Sequence, residues 1–255
     1  MHQGERDRFA RVLQPARTSA YPPDEFVGQE GFMLGSEILS LARQAGVGPG
    51  VSVLDLCCGA GGPGRLIARE LGCEYLGVDA DAAGVSMARE RAGDLDCRYV
   101  VARIPPVPSG RYDVVLLLET RLAFPDKGAL LAQVSDALPA GGRFAFTLEA
   151  GEPLTEAERA VMPDADTVWL TPLPEVIACL EQVQLSVRWQ ADVSRSHQVV
   201  VDALLDAFRR HARDIAEELG PGAIDELVAG HRLWSDWLQR GRVSKFAVVA
   251  QKSGT

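Results

Sequence analysis

The chain has 255 residues, 47% of them hydrophobic, enough to bury one large core with a small cap or insertion. Its 35 acidic against 26 basic residues leave a formal charge of −9, which argues against a nucleic-acid backbone or an anionic membrane as the main partner. No apolar run approaches the roughly 20 residues that span a bilayer.

The N-terminus, MHQGERDRFARVLQP, is charged from its start and lacks the apolar stretch of a signal peptide. Residues 1–23 are polar and are expected to be flexible, leaving 24–255 as a single domain. From Asp24 to about Gly46 the pattern turns helical, with Phe26, Phe32, Met33, Ile38, Leu41 and Ala42 available for an apolar face. GVGPG (46–50) ends that helix, and VSVLDLCC (51–58) reads as a strand buried on both faces. Helix and strand then alternate: helix 65–71, strand 73–79, helix 82–92, strands 97–102 and 112–119, helix 127–138, strand 142–149. This alternation predicts an α/β fold, Rossmann-like and doubly wound, with a mostly parallel sheet. Beyond it come a helix at 174–183, a strand at 184–194, helical stretches at about 197–219 and 221–240, and a last strand at 244–252. The late helical pair predicts a cap, inserted at about 195–241.

The stretch VLDLCCGAGGPGRL (53–66) decides the ligand class. Gly59, Gly61 and Gly64 satisfy G-x-G-x-x-G, a spacing shared by several nucleotide folds. An acid within the preceding strand is unwelcome beside a pyrophosphate, yet Asp55 lies there, four residues before Gly59. Such a carboxylate suits a ligand with an ammonium group or water-bridged polar atoms, not a diphosphate. Gly59 and Gly61 let the backbone pass close to a ligand without a Cβ in the way. Asp79 ends the next strand in YLGVDAD, where a carboxylate can accept both ribose hydroxyl hydrogens.

With these residues the sequence resembles the class I S-adenosylmethionine-dependent methyltransferases. VLDLCCGAGG looks like their first signature, YLGVDAD their second, RYDVVLLLE their fourth-strand signature and LPAGGRFAFT (138–147) their turn and fifth strand. The resemblance covers about residues 25–150 and implies a seven-stranded sheet with an antiparallel last strand. It implies S-adenosyl-L-methionine as cofactor, with Asp55, Gly59 and Gly61 holding the methionine moiety and Cys57 and Leu118 also in contact with the cofactor. Asp79 would bind the ribose, with Ala80, Ala102 and Arg103 near the adenine. The family usually places an acid after the third strand, where VVARIPP offers none.

The end of the fourth strand, LLLETRLAFPDK (116–127), resembles a stretch of the small-molecule branch that includes the glycine, sarcosine and phosphoethanolamine enzymes. A His common there is replaced by Ala123. Glu119 is a candidate catalytic group or a strand-end carboxylate with backbone partners, and Arg121 reads as a surface or ion-pair residue. His197, at the start of the cap, is a candidate base, or else a helix-start histidine without a catalytic role. His211 and His231 read as surface or packing residues, and His2 lies in the N-terminal tail. Candidate substrate-lining residues are Tyr21, Phe26, Gln29, Phe32, Phe124, Trp169 and Trp234, with Trp237 beside the last. Cys57, Cys58, Cys73, Cys97 and Cys179 form no C-x-x-C pair and no metal-ligand rhythm, so a reduced cytoplasmic protein without a metal is expected.

The reading is a methyltransferase acting on a small-molecule hydroxyl, amine or carbon, such as a natural product or metabolite. No nucleic acid or membrane partner is expected, and a homodimer is left open. The alternatives are a protein that binds the same cofactor but promotes a cyclisation, and a non-enzymatic regulator on the same fold.

Overall fold

A computed structural model describes residues 3–120, 123–163 and 165–254. Among these residues seven strands form one sheet: β1 (Ser52–Leu56), β2 (Glu74–Asp79), β3 (Cys97–Val101), β4 (Val114–Leu117), β5 (Arg143–Ala150), β6 (Leu185–Asp192) and β7 (Ser244–Lys252). Their order is β3-β2-β1-β4-β5-β7-β6, with β7 antiparallel to both neighbours and every other pair parallel. The winding reverses between β1 and β4, which opens a crevice at the carboxyl ends of those strands.

The helices are α1 (Gln3–Ala20), α2 (Gly35–Gln44), α3 (Gly62–Leu71), α4 (Ala82–Ala92), α5 (Lys127–Ala137), α6 (Glu156–Val161), α7 (Leu173–Gln182), α8 (Ser194–Arg210), α9 (Ala212–Leu219) and α10 (Pro221–Gln239). Strand side chains alternate between two cores, as the period of two requires. Val53, Tyr75, Val114 and Leu116 pack with Ile38, Leu41, Ile67 and Val85 of α2, α3 and α4. Leu54, Leu56, Val115 and Leu117 pack with Leu130, Val134, Val176 and Leu180 of α5 and α7. Local signals fix the boundaries. Asp81 accepts from Ala83 N (3.2 Å) at the start of α4, and Asp126 accepts from Ala129 N (2.9 Å) at the start of α5.

The structure differs from the sequence reading at three places. The first is residues 1–23, expected to be flexible. Gln3–Ala20 is instead a helix, and Leu13, Ala16 and Ala20 pack on Val200, Leu204 and Phe208 of the cap. Their spacing of three and four puts them on one face of a helix, an apolar stripe too narrow to lift the segment's overall polarity. The second is the helix expected over Asp24–Gly46, of which only Gly35–Gln44 is helical. Asp24 (φ 65°) and Gly28 (φ 91°) are left-handed. The Gln29 amide takes the hydrogen bonds a helix would have used: its Oε1 accepts from Val27 N (2.7 Å), and its Nε2 donates to Glu25 O (3.0 Å) and Met33 O (2.8 Å). Residues 24–34 therefore form a folded lid loop. The third is α6, which carries a Thr155–Glu158 capping box that the reading left out.

The cap comprises α8, α9 and α10 with α1 against them. A separate small cluster of Leu154, Met162, Val168, Leu170 and Trp237 ties the β5–α7 connection to α10. Among the described residues no helix is long and apolar enough to cross a membrane.

Candidate active site

A cavity of about 550 Å³ lies at the carboxyl ends of β1, β2, β4 and β5. The lid loop, the first turn of α8, the β5–α7 connection and Trp234 of α10 complete its wall.

One end is built by the glycine turn. Asp55 is 3% exposed, and Tyr75 Oη donates to its Oδ2, while its Oδ1 is buried without a partner. Burial pushes this carboxyl up to about 7; the Tyr75 hydrogen bond opposes the rise and the nearby Asp79 adds to it. Gly64 is what lets Tyr75 reach in, because a Cβ there would lie 2.2 Å from the phenol ring. Gly59 is left-handed (φ 53°), and a Cβ on it would meet nothing within 4 Å, so open space faces its backbone. The Asp79 carboxylate shapes this turn: its Oδ2 accepts from Gly59 N (2.8 Å) and its Oδ1 from Asp81 N (2.8 Å). Asp55, Cys57, Gly59, Asp79 and Leu118 all line the cavity.

Gly61 lies outside the cavity lining. A Cβ there would meet Ala88 Cβ at 2.8 Å and Tyr99 Oη at 2.9 Å, so its bareness serves the packing of α3 on α4 and β3. Ala80, Ala102 and Arg103 also lie outside the lining: Ala80 and Arg103 are exposed, and half-buried Ala102 gives its N–H to Asp79 O (2.8 Å). Cys57 packs with the α5–α7 core and Cys58 belongs to the α2–α4 core. Burial pushes both thiols up, Cys57 to about 12, which leaves them protonated and unreactive.

The other end holds a buried charged cluster. Glu119 follows β4 in a left-handed conformation (φ 57°), uncommon for a residue with a side chain. Its Oε1 meets Lys245 Nζ (2.5 Å) and accepts from Thr147 Oγ1 (3.1 Å), and its Oε2 accepts from Phe32 N (2.8 Å) in the lid. Lys245 also pairs with Glu149 Oε1, its cross-strand neighbour in the β5–β7 ladder. Lys245 is fully buried, and Glu149 and His197 are 5% and 2% exposed. Among the described residues Glu149 Oε2 and His197 Nε2 have no hydrogen-bond partner. One ligand atom from each of Glu119, Glu149 and His197 lies within 4.8 Å of the others, the convergence a metal ion would need. Here the Lys245 ammonium sits against both carboxylates.

The cluster sorts its protons by environment. Burial would raise Glu119, but Lys245 and then His197 outweigh it and hold the carboxyl at about 2. Glu149 rises instead: burial and the neighbouring Glu119 charge outweigh Lys245. Burial and Lys245 drive His197 down to about 3, with Glu119 opposing, so the imidazole is neutral near pH 7.

Of the candidate lining residues, Gln29, Phe32 and Trp234 face the cavity. The Gln29 amide is spent on the lid backbone, as described above. Phe32 packs edge-on against His197 (4.8 Å between ring centres) and His231 (5.6 Å). Tyr21 and Phe26 lie outside the lining: Tyr21 Oη donates to Gly31 O (2.6 Å), and Phe26 stacks beside Tyr21 (5.2 Å). Phe124 is buried in the α5–α7 core, and Trp169 carries Arg159 over its ring (4.9 Å). Trp237 is core, edge-on to Trp234. Arg121 and His2 lie outside the described residues.

Sequence reasoning missed Glu149, Lys245, Met162 and Val168. The first two had a signal: each is a charge inside an otherwise apolar strand, in FAFTLEA and SKFAVVA, as Asp55 is in its own. The last two come from an irregular connection with no periodicity to read.

Residues 53–142 match the family described as a methyltransferase domain. The chain is 26% identical over 182 residues to the 2-phytyl-1,4-naphtoquinone methyltransferase of Synechococcus elongatus, covering 68% of this chain and 71% of that one. The chain is an S-adenosylmethionine-dependent methyltransferase, similar in its matched region to the class I enzymes. Solved structures share the fold of this methyltransferase. A cyclopropane synthase of Mycobacterium tuberculosis superposes with a TM-score of 0.81 at 15% identity, over 98% of this chain and 96% of that one. Phosphoethanolamine N-methyltransferase 2 of Haemonchus contortus, solved with S-adenosyl-L-methionine, gives 0.79 at 17% identity, over 98% of this chain and 60% of that one. This methyltransferase uses S-adenosylmethionine and methylates small molecules.

Proposed function

We propose that the methyltransferase holds its cofactor at the Asp55–Asp79 end of the cavity and its acceptor, a small molecule with a hydroxyl, amine or carbon nucleophile, at the His197 end. The observation that carries this reading is that Asp55 Oδ1 and His197 Nε2, both buried and both without a partner among the described residues, belong to residues of one cavity. Bound S-adenosylmethionine supplies an electrophilic methyl group on a positive sulfur.

The residues at the first end fit that group. Asp55 offers a buried acceptor for an ammonium, Gly59 presents backbone with room before it, and the Asp79 carboxylate keeps lone pairs for ribose hydroxyls. Ala80, Ala102 and Arg103 would border the adenine at the open rim, with a backbone edge and no acid. Gly61 supports the turn from behind. At the second end Phe32, Met162, Val168 and Trp234 provide an apolar wall for the acceptor's body. His197 serves as the proton acceptor, and Glu119 and Glu149 stabilise the charge it gains. Glu119 has its oxygens committed to Lys245, Thr147 and the lid, so it supports His197 and does not act as a base itself.

Incubating the protein with methyl-labelled cofactor and a metabolite extract should yield a labelled small molecule. Asp79→Ala should weaken cofactor binding by about 1–3 kcal/mol, the loss expected for a charge-assisted hydrogen-bonding partner. Unchanged affinity by calorimetry would remove Asp79 from the site.

A further inference from the structure

We propose that Glu149 and His197 together grip the reacting group of the acceptor, and that this group is protic: a hydroxyl or an amine on an apolar body, not an alkene carbon. The inference rests on the methyl-transfer reading and narrows it.

Among the described residues five buried side-chain polar atoms have no partner: Asp55 Oδ1, Arg65 Nε, Glu149 Oε2, His197 Nε2 and Gln198 Oε1. Three of them belong to residues lining the one cavity, and Asp55 Oδ1 is accounted for at the cofactor end. The remaining two sit on residues whose ligand atoms approach within 4.8 Å of one another. A buried polar atom left unpaired costs about 1–3 kcal/mol, so one on each of two neighbouring side chains points to a ligand group between them. An alkene carries no group that can pair with them. A primary amine donates to both atoms; a hydroxyl donates to His197 Nε2 and accepts from the Glu149 carboxyl, which burial raises towards its protonated form; each keeps a lone pair for attack.

The rest of the cluster explains why these two atoms stay unpaired. Lys245 Nζ occupies Glu149 Oε1 and Glu119 Oε1, and Thr147 and Phe32 N take up the remainder of Glu119. Lys245 thus fixes the Glu149 carboxyl with its second oxygen free, and Glu119 acts as a positioning residue through Lys245 and the lid. In the transfer the acceptor's O–H or N–H proton passes to His197 Nε2. The nucleophile's lone pair forms the new bond to the methyl carbon, and the carbon–sulfur bonding pair remains on sulfur. Charge and atoms balance without a metal or a redox partner.

The test uses three probes of one shape, 4-methylphenol, 4-methylaniline and 1,4-dimethylbenzene, added to the full chain saturated with S-adenosylhomocysteine. Binding is read from the ring signals of isotope-labelled histidine by NMR. The phenol and the aniline should bind at least roughly tenfold more tightly than dimethylbenzene, as one satisfied buried partner implies. Glu149→Leu leaves Lys245 paired with Glu119, and His197→Phe keeps the ring volume; each should shrink the preference to about threefold or less. Equal binding of all three probes by the unaltered protein overturns the proposal, whatever the variants do. So does a preference that survives both substitutions, or the failure of every probe to bind. If S-adenosylhomocysteine itself does not bind, the methyl-transfer reading fails; if it binds and the probes show no preference, this inference alone fails.

Discussion

On the proposed placement of the cofactor, Asp55 couples its binding to solution pH. Its carboxyl is raised to about 7 in the folded chain, chiefly by burial, against an ordinary value of 3.8. The folded state therefore keeps a proton that the unfolded chain sheds earlier. Stability from this group is full below about pH 4 and is lost as pH rises towards 7. A ligand that places positive charge on Asp55 favours the ionised form, so binding must expel the proton below that pH. Calorimetry at pH 6 in two buffers of different ionisation enthalpy should show about 0.9 proton released per S-adenosylmethionine bound. Asp55→Asn should abolish the release and weaken binding. Equal apparent enthalpies in the two buffers for the unaltered protein would mean that Asp55 does not meet the charged end of the cofactor.

Elements differ in how openly the sequence displays them. The strands and α3 to α5 follow periods of two and 3.6 with capping aspartates and ending glycines, and the predicted and observed spans agree to within a few residues; α4 matches at both ends. That Asp55, Gly59 and Asp79 meet at one cavity was legible because their signature lies in one strand, one turn and the next strand end. Glu149 and Lys245 were not, because they meet only when β5 and β7, about a hundred residues apart in the chain, pair antiparallel. The lid was misread because Gln29 imitates backbone pairing, which no periodicity records. That role carries its own prediction. Gln29→Ala removes three hydrogen bonds worth about 1 kcal/mol each, so the closed loop should lose about 2–3 kcal/mol. Limited proteolysis should then cut within 24–34 at least roughly tenfold faster, since cleavage tracks the open population. An unchanged cleavage rate would show that the other contacts of the loop, Phe32 N to Glu119 and Tyr21 Oη to Gly31 O among them, hold it without Gln29.

At the scale of the molecule, two packed bodies with cores of unequal size line one cavity. The sheet and its flanking helices have two continuous cores, whereas α1, α8, α9 and α10 are held by a smaller cluster of their own. His197 stands in the first turn of α8, so its position depends on the cap, while Asp55 and Asp79 depend on the sheet. Ser196 Oγ donates to Glu37 in α2 and is one tether between the two bodies. Loosening the cap should consequently separate acceptor chemistry from cofactor binding. Leu13 is fully buried in α1, and Leu13→Ala should cost about 2–5 kcal/mol, the range for a large-to-small change in a core. Because that loss falls on the cap cluster, amide exchange should rise first in α1 and α8 to α10 and leave β1, β4 and β5 protected. Affinity for S-adenosylhomocysteine should stay within about twofold, and the His197 ring signal should broaden as Phe32 loses its packing. A uniform rise in exchange across sheet and cap, with cofactor affinity falling in step, would instead mean that the chain opens as one cooperative unit and that α1 is as integral to the sheet as β1.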